Sequence, residues 1–250
     1  MPRSAETPVS SRKAPESQCL LDQVDELRAA YRELDGLALL RALLSGGPLA
    51  ARTALVSSFG AESVVLLDMV ATVDPTIPVI FIDTGKLFEA THTYREKLIP
   101  LLGLRDIRTI RPDPAALALR DPEGQLWQRD PDLCCHTRKT EPLQRALVGF
   151  AAWITGRKRF HGGARGDLPT IEVEPLTGRI KLNPLAPWTD EDLERYRRLR
   201  DLPAHPLVSE GYRSIGCISC TRPVLPDEPP RAGRWWWVDK SECGIHRSGG

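Results

Sequence analysis

The sequence lacks any long apolar run. Charged or polar residues interrupt every hydrophobic stretch of its 250 residues, which excludes a helix able to span a bilayer. It lacks an excess of either charge: Lys and Arg number 34 against 33 Asp and Glu, a formal net charge of +1. That balance disfavours a protein whose main task is coating nucleic acid, but it allows a local basic pocket for a small anion. Residues 1–18 lack the apolar stretch of a secretory signal and are rich in Ser, Pro and charge. They read as a disordered leader on a cytoplasmic chain. No internal repeat is evident.

What is present is an ordinary globular composition, 41% hydrophobic and 27% charged, on a chain long enough for one α/β domain with appendages. Six cysteines are present as well. In a compartment that keeps thiols reduced, they point to ligands or catalysts rather than disulfides.

Val24, Leu27, Tyr31 and Leu34 recur at helical spacing ahead of a Ser-Gly-Gly-Pro break, and predict N-terminal helices over 19–50. From 51 to 203, short β-rich runs alternate with helical patterns. Strands are expected at 53–58, 78–83, 107–110 and 151–155, and helices at 62–73, at 87–102 and ending near Val148. This rhythm predicts an α/β fold with a doubly wound, mostly parallel sheet. Residues 171–174 and 179–183, joined by 175–178, look like a hairpin, and 190–200 is a charged helix that Thr189 can cap. Residues 204–250 are rich in Gly, Pro and Cys and read as a C-terminal segment without a core of its own.

Ser57-Ser58-Phe59-Gly60-Ala61-Glu62-Ser63 falls where the first strand gives way to the first helix of the domain. Backbone N–H groups and the helix dipole make that junction an anion site, and Gly60 permits close approach. The Gly-Lys-Ser/Thr ending of a Walker loop is absent. A Ser-capped turn with no ligand is the bland alternative. The next strand ends in Asp83-Thr84-Gly85, where an acid commonly accepts from a ribose; a helix cap is the rival reading.

Cys134 and Cys135 are adjacent in a segment with helical character, and Cys217-x-x-Cys220 lies in the loop-like C-terminal part. Four thiolates from two places suit an iron–sulfur cluster or a tetrahedral zinc, and spacing alone leaves both open. A redox dithiol at Cys217 and Cys220 would leave the vicinal pair unexplained. Cys19 has no companion. Cys243 lies near the C-terminus, after Pro226, Pro229 and Pro230, on a tail able to visit two partners in turn. Taken alone it is an ordinary tail cysteine, since reactivity needs nearby positive charge and Glu242 supplies the opposite.

Taken together, these motifs resemble the assimilatory adenylyl-sulfate reductases, relatives of the phosphoadenylyl-sulfate reductases and the PP-loop ATP pyrophosphatases. The resemblance runs from about Ser57 to His246. It rests on the Ser57 loop, Asp83-Thr84-Gly85, Cys134-Cys135-x-x-Arg138-Lys139, Lys181-Leu182-Asn183-Pro184-Leu185, Gly216-Cys217-x-x-Cys220-Thr221, Gly233-Arg234-Trp235 and Glu242-Cys243-Gly244-Ile245-His246. In the loop, Phe59 stands where many relatives have Ser or Gly, and Ser63 where many have Asp.

The resemblance implies a PP-loop fold and one 4Fe–4S cluster on Cys134, Cys135, Cys217 and Cys220. It implies that the loop and the Asp83–Gly85 turn hold the nucleotide. It makes Cys243 the nucleophile that attacks the sulfur of adenosine 5′-phosphosulfate (APS), releasing AMP and leaving an S-sulfocysteine. Thioredoxin or a similar dithiol then releases sulfite, in sulfate assimilation and cysteine biosynthesis. Lys139 stands between cluster and substrate, and Arg165, Arg231 and Arg234 close over the phosphosulfate. Homodimers or homotetramers are common in such a family. The run Trp235-Trp236-Trp237 reads as a core-facing strand rather than a nucleotide platform.

Three other readings compete. The 3′-phosphorylated substrate (PAPS) could replace APS or share the site, although relatives with all four cluster cysteines generally favour APS. A PP-loop ligase or tRNA-thiolating enzyme would cleave ATP and bind RNA, and the Glu242–His246 tail argues against it. A zinc-binding module would contain zinc and no sulfide.

Overall fold

The computed structural model describes residues 14–174 and 178–246. One six-stranded sheet organises them, in the order β3-β2-β1-β4-β6-β5. Its strands are β1 (Thr53–Val56), β2 (Val79–Ile82), β3 (Ile107–Ile110), β4 (Ala152–Ile154), β5 (Ile171–Glu174) and β6 (Arg179–Leu182). All neighbours pair parallel except β5 with β6, the expected antiparallel hairpin. The turn expected at 175–178 lies mostly outside the described residues. The helices are α1 (Ala14–Ala30), α2 (Gly36–Leu44), α3 (Ser63–Val73), α4 (Glu89–Leu101), α5 (Pro114–Arg120), α6 (Leu126–Arg129), α7 (Pro131–Cys135), α8 (Glu141–Ala146) and α9 (Asp190–Leu199). A π-helical segment, His136–Thr140, joins α7 to α8.

The side-chain period of two sorts the strands onto two cores. Leu55, Val79, Phe81, Ile154 and Leu182 pack with Leu39 and Leu43 of α2, Val64 and Leu67 of α3, Leu98 of α4 and Leu193 of α9. Ala54, Ile80, Ile82 and Trp153 face the other way, onto Leu143 of α8 and Leu147. Strand β2 therefore reads Val-Ile-Phe-Ile, buried at all four positions, as a strand covered on both faces must. Thr189 caps α9 in a reciprocal capping box with Asp192. Tyr196 and Arg200 both donate to the buried Asp68, tying α9 to α3.

Two expectations need correction. Helix α1 begins at Ala14, inside the presumed leader, and Arg28 near its end donates to the Ile171 carbonyl at 2.7 Å, docking it on β5. Residues 1–13 of that leader lie outside the described residues. The three tryptophans form turns rather than a strand, because a single bridge, Thr221 to Arg234, is all the ladder this segment makes. Pro223, Pro226, Pro229 and Pro230 cannot donate to a ladder. Among the described residues no helix is long and apolar enough to cross a membrane.

Candidate active site

The strand order reverses between β1 and β4, and in open α/β sheets ligands bind at the carboxyl ends of strands beside such a switch. A pocket lies there. Ser57, Ser58, Gly60, Ala61, Glu62 and Ser63 line it after β1, Thr84 after β2, and Thr155, Gly156, Arg157 and Lys158 after β4. Lys139, Arg165, Arg231, Arg234 and Cys243 line it too.

The loop after β1 is shaped by its own side chains. Ser57 Oγ accepts from the Phe59 amide at 3.2 Å, and Ser63 Oγ accepts from the Gly60 amide at 2.8 Å. Those two amides are thus already used within the loop. Phe59 adopts φ +49° and sends its ring into the core, edge-on to Phe81 at 5.5 Å between centroids. It belongs to the core and does not line the pocket. Asp83 does not line it either: the carboxylate accepts from the Gly85 amide and from Arg111 Nε, both at 3.0 Å. Burial works against its ionisation, but those two donors outweigh it and hold the pKa below the usual range. Gly85 forms the turn at φ +69°. The expected ribose acceptor is therefore an internally bonded carboxylate, and of that tripeptide only Thr84 reaches the cavity.

Of the five candidate thiols, Cys243 lines the pocket and the other four are buried. Cys135, Cys217 and Cys220 are buried with Trp235, and Leu87, Trp127, Trp237 and Cys243 pack around them. Cys134 is buried beside them, and all are free thiols. The C-x-x-C segment is fastened to the end of β2: Ile218 donates to the Lys86 carbonyl at 2.8 Å, and Thr84 Oγ lies 3.3 Å from Cys217 Sγ. Burial raises Cys134 to about 12 and Cys135 to about 11, with neighbouring thiols adding to the rise for Cys134. Cys217 differs. Burial raises it, but Lys139 and Thr84 outweigh that, so its thiolate is favoured. Lys139 is half-buried, and the cost of its desolvation is more than offset by Cys217, Cys135 and Cys243, so its pKa rises. Among the described residues no three Cys, His, Asp or Glu side chains converge tightly enough to hold a single metal ion.

The tail that carries Cys243 is docked. Its turn Gly244–His246 lies against the π-helical segment, and the His246 ring stacks on Trp153 at 6.2 Å and 7°. Gly244 makes this approach possible: a Cβ there would sit 2.6 Å from Thr140 Oγ1. Glu242 does not face Cys243 with uncompensated charge. Arg165 grips its carboxylate at both oxygens, one through Nη2 at 2.7 Å, and Arg231 Nη2 lies 3.5 Å away. Arg234 lies 4.5 Å above the Trp235 ring. Trp235 is buried and takes φ +48°, a conformation that non-glycine residues hold where surroundings impose it.

Part of the cationic wall was not foreseen from the sequence. Arg157, Lys158 and His161 line the pocket, and Lys181 is buried over the Trp153 ring at 4.6 Å. Burial and then Arg165 pull Arg157 and Arg231 down to about 10, while burial and Arg157 pull Lys181 to about 7. Cations crowded until each weakens its neighbours make a cavity short of negative charge, suited to a polyanion. Arg157-Lys158 follows soon after β4, but only the strand order makes that position a switch point.

The family model of the phosphoadenosine phosphosulfate reductase domain matches residues 52–223. An adenosine 5′-phosphosulfate reductase of Mesorhizobium japonicum is 53% identical over 196 residues, covering 78% of this chain and 76% of that protein. A second, of a Chelativorans species, is 46% identical over 224 residues, covering 90% and 91%. Among solved structures, the phosphoadenylyl-sulfate reductase of Candida auris, a phosphate complex, is 27% identical with a TM-score of 0.68, covering 87% of this chain and all of that one. The family match takes in the sheet, the loop after β1 and all four paired cysteines, and by it this chain belongs to the phosphoadenosine phosphosulfate reductase domain family.

Proposed function

We propose that this protein reduces APS to sulfite and AMP with Cys243 as the nucleophile and thioredoxin or a similar dithiol as reductant. One observation carries the reading: Cys243 lines the same pocket as the loop after β1, within a wall of Lys139, Arg165, Arg231 and Arg234. The curated relatives named for APS reduction support the substrate.

In this mechanism the Cys243 thiolate attacks the sulfate sulfur. The bond from that sulfur to the bridging phosphate oxygen breaks, and AMP leaves with the electron pair. A thiolate of the dithiol then attacks Cys243 Sγ and expels sulfite, and the second thiol resolves the mixed disulfide. The dithiol supplies two electrons and ends as a disulfide. Negative charge grows on the departing phosphate, where preorganised cations act most strongly. Interaction with the neighbouring cysteine sulfurs raises the Lys139 pKa against the cost of its desolvation. Removing one such group from a comparable site costs on the order of 10²–10³ in rate.

Cys134, Cys135, Cys217 and Cys220 would hold a 4Fe–4S cluster. The donor set fits: four buried free thiols from two segments. The cluster, when bound, supplies structural and electrostatic support for Lys139 rather than the electrons of the reaction.

The test is sulfite release from APS and from PAPS, without air, with thioredoxin as reductant. Turnover of APS in preference to PAPS is expected. Turnover of PAPS alone corrects the substrate, and release from neither refutes the proposal.

A further inference from the structure

A carboxylate in an anion pocket is out of place unless it is neutralised and put to use. Glu62 lines the pocket, and its side chain is 20% exposed. Lys158, itself buried, pairs with Glu62 Oε2. The other oxygen lies 3.2 Å from His161 Nε2, and His161 Nδ1 lies 3.0 Å from Arg165 Nη1. Arg165 reaches the tail carboxylate of Glu242 with its remaining edge. Four polar side chains thus run in one line from Lys158 to the arginine that faces Cys243's neighbour.

The line has a direction. A guanidinium only donates and a carboxylate only accepts. His161 satisfies both when its ring is neutral, with the hydrogen on Nε2 donated to Glu62 and Nδ1 accepting from Arg165. A protonated ring would aim an N–H at a guanidinium. Burial holds the imidazole pKa below its ordinary value against the pull of Glu62, which keeps the ring neutral. Gly162 and Gly163, at φ +68° and +59°, turn the chain so that residues 161 and 165 meet.

We propose that Glu62 and His161 are positioning residues for Arg165: Glu62, neutralised by Lys158, sets the His161 tautomer, and Nδ1 aims the guanidinium at the substrate's phosphosulfate. The assignment rests on the reading of the pocket as an APS site. Glu62 then acts through His161 and not by touching the nucleotide. Glu242 marks where the substrate's anion competes for Arg165.

The test is a double-mutant cycle read by AMP affinity in calorimetry and by KM and kcat for APS. His161→Phe and Glu62→Gln are each expected to weaken AMP and raise KM by about tenfold, the scale of one lost charge-assisted hydrogen bond. His161→Gln, whose amide accepts and donates, recovers most of that loss. In an Arg165→Lys background, adding His161→Phe changes AMP affinity by less than about twofold, because the residue acts only through Arg165. Full, independent losses in both backgrounds overturn the proposal, as does an unchanged His161→Phe. A wild-type protein that binds AMP but turns over neither substrate refutes the proposed activity, while the AMP cycle still decides this assignment; one that does not bind AMP overturns both.

Discussion

Gly244 shows how little space separates the tail from the body of the protein. Its missing Cβ would meet Thr140 Oγ1 at 2.6 Å, so Gly244→Ala must displace either that hydroxyl or the turn that follows the nucleophile. A displacement of about 1 Å can cost on the order of 10² in rate. Gly244→Ala is therefore expected to lower kcat by about that factor while AMP affinity stays within about twofold; equal rates for variant and wild type would mean the docked tail does not set the chemistry. Cys217 is the thiol whose charge the surroundings favour most clearly, through Lys139 and Thr84. Cys217→Ser, purified without air, is expected to lose the iron and sulfide that the wild type holds, by metal and sulfide analysis. Zinc without sulfide in the wild type would contradict the cluster.

At the scale of elements, α9 offers a clean stability test because its cap lies away from the pocket. Thr189 Oγ1 accepts from the Asp192 amide at 3.1 Å, and Asp192 accepts from the Thr189 amide at 3.0 Å. Thr189→Ala should cost about 1 kcal/mol and lower Tm by about 2–4 °C, read by thermal unfolding, with activity at 25 °C retained. The helix and its cap were legible because capping residues and amphipathic period are local signals. So were the parallel strands, whose apolar runs are bounded by turns. Less legible were features set by long-range partners. Nothing near Asp83 in sequence announces that Arg111, across the end of β3, takes its carboxylate. Phe59 gave no sign that a left-handed φ would turn it onto Phe81. The tryptophan run looked like a strand by composition, but the prolines ahead of it cannot donate to a ladder and the chain there makes a single bridge.

At the scale of the whole molecule, the cysteine pairs, the loop after β1 and the tail drew notice by residue type and position, while the roles proposed for them came from the family resemblance. The wall of Arg157, Lys158 and His161 did not, since its meaning depends on the strand order that puts β4 beside β1. That wall has a pH consequence. Burial opposes the charge on Glu62, but Lys158 and His161 outweigh it and bring its pKa from 4.5 to about 2. A depressed carboxylate stabilises the fold fully above its unfolded pKa, and the contribution is lost as pH falls from 4.5 toward 2. Denaturant unfolding across that window should show a shallower pH dependence in Glu62→Gln than in wild type; identical slopes would contradict the buried ion pair.

The central claim is that Cys243 forms a covalent bond to the substrate's sulfur. Mass spectrometry of the Cys243 peptide, after mixing the anaerobic protein with APS and no reductant, tests it most directly. One S-sulfo group on Cys243 Sγ is expected for each AMP released, removed on adding thioredoxin. AMP release with Cys243 unmodified, or a Cys243→Ser protein that still yields sulfite, would contradict it.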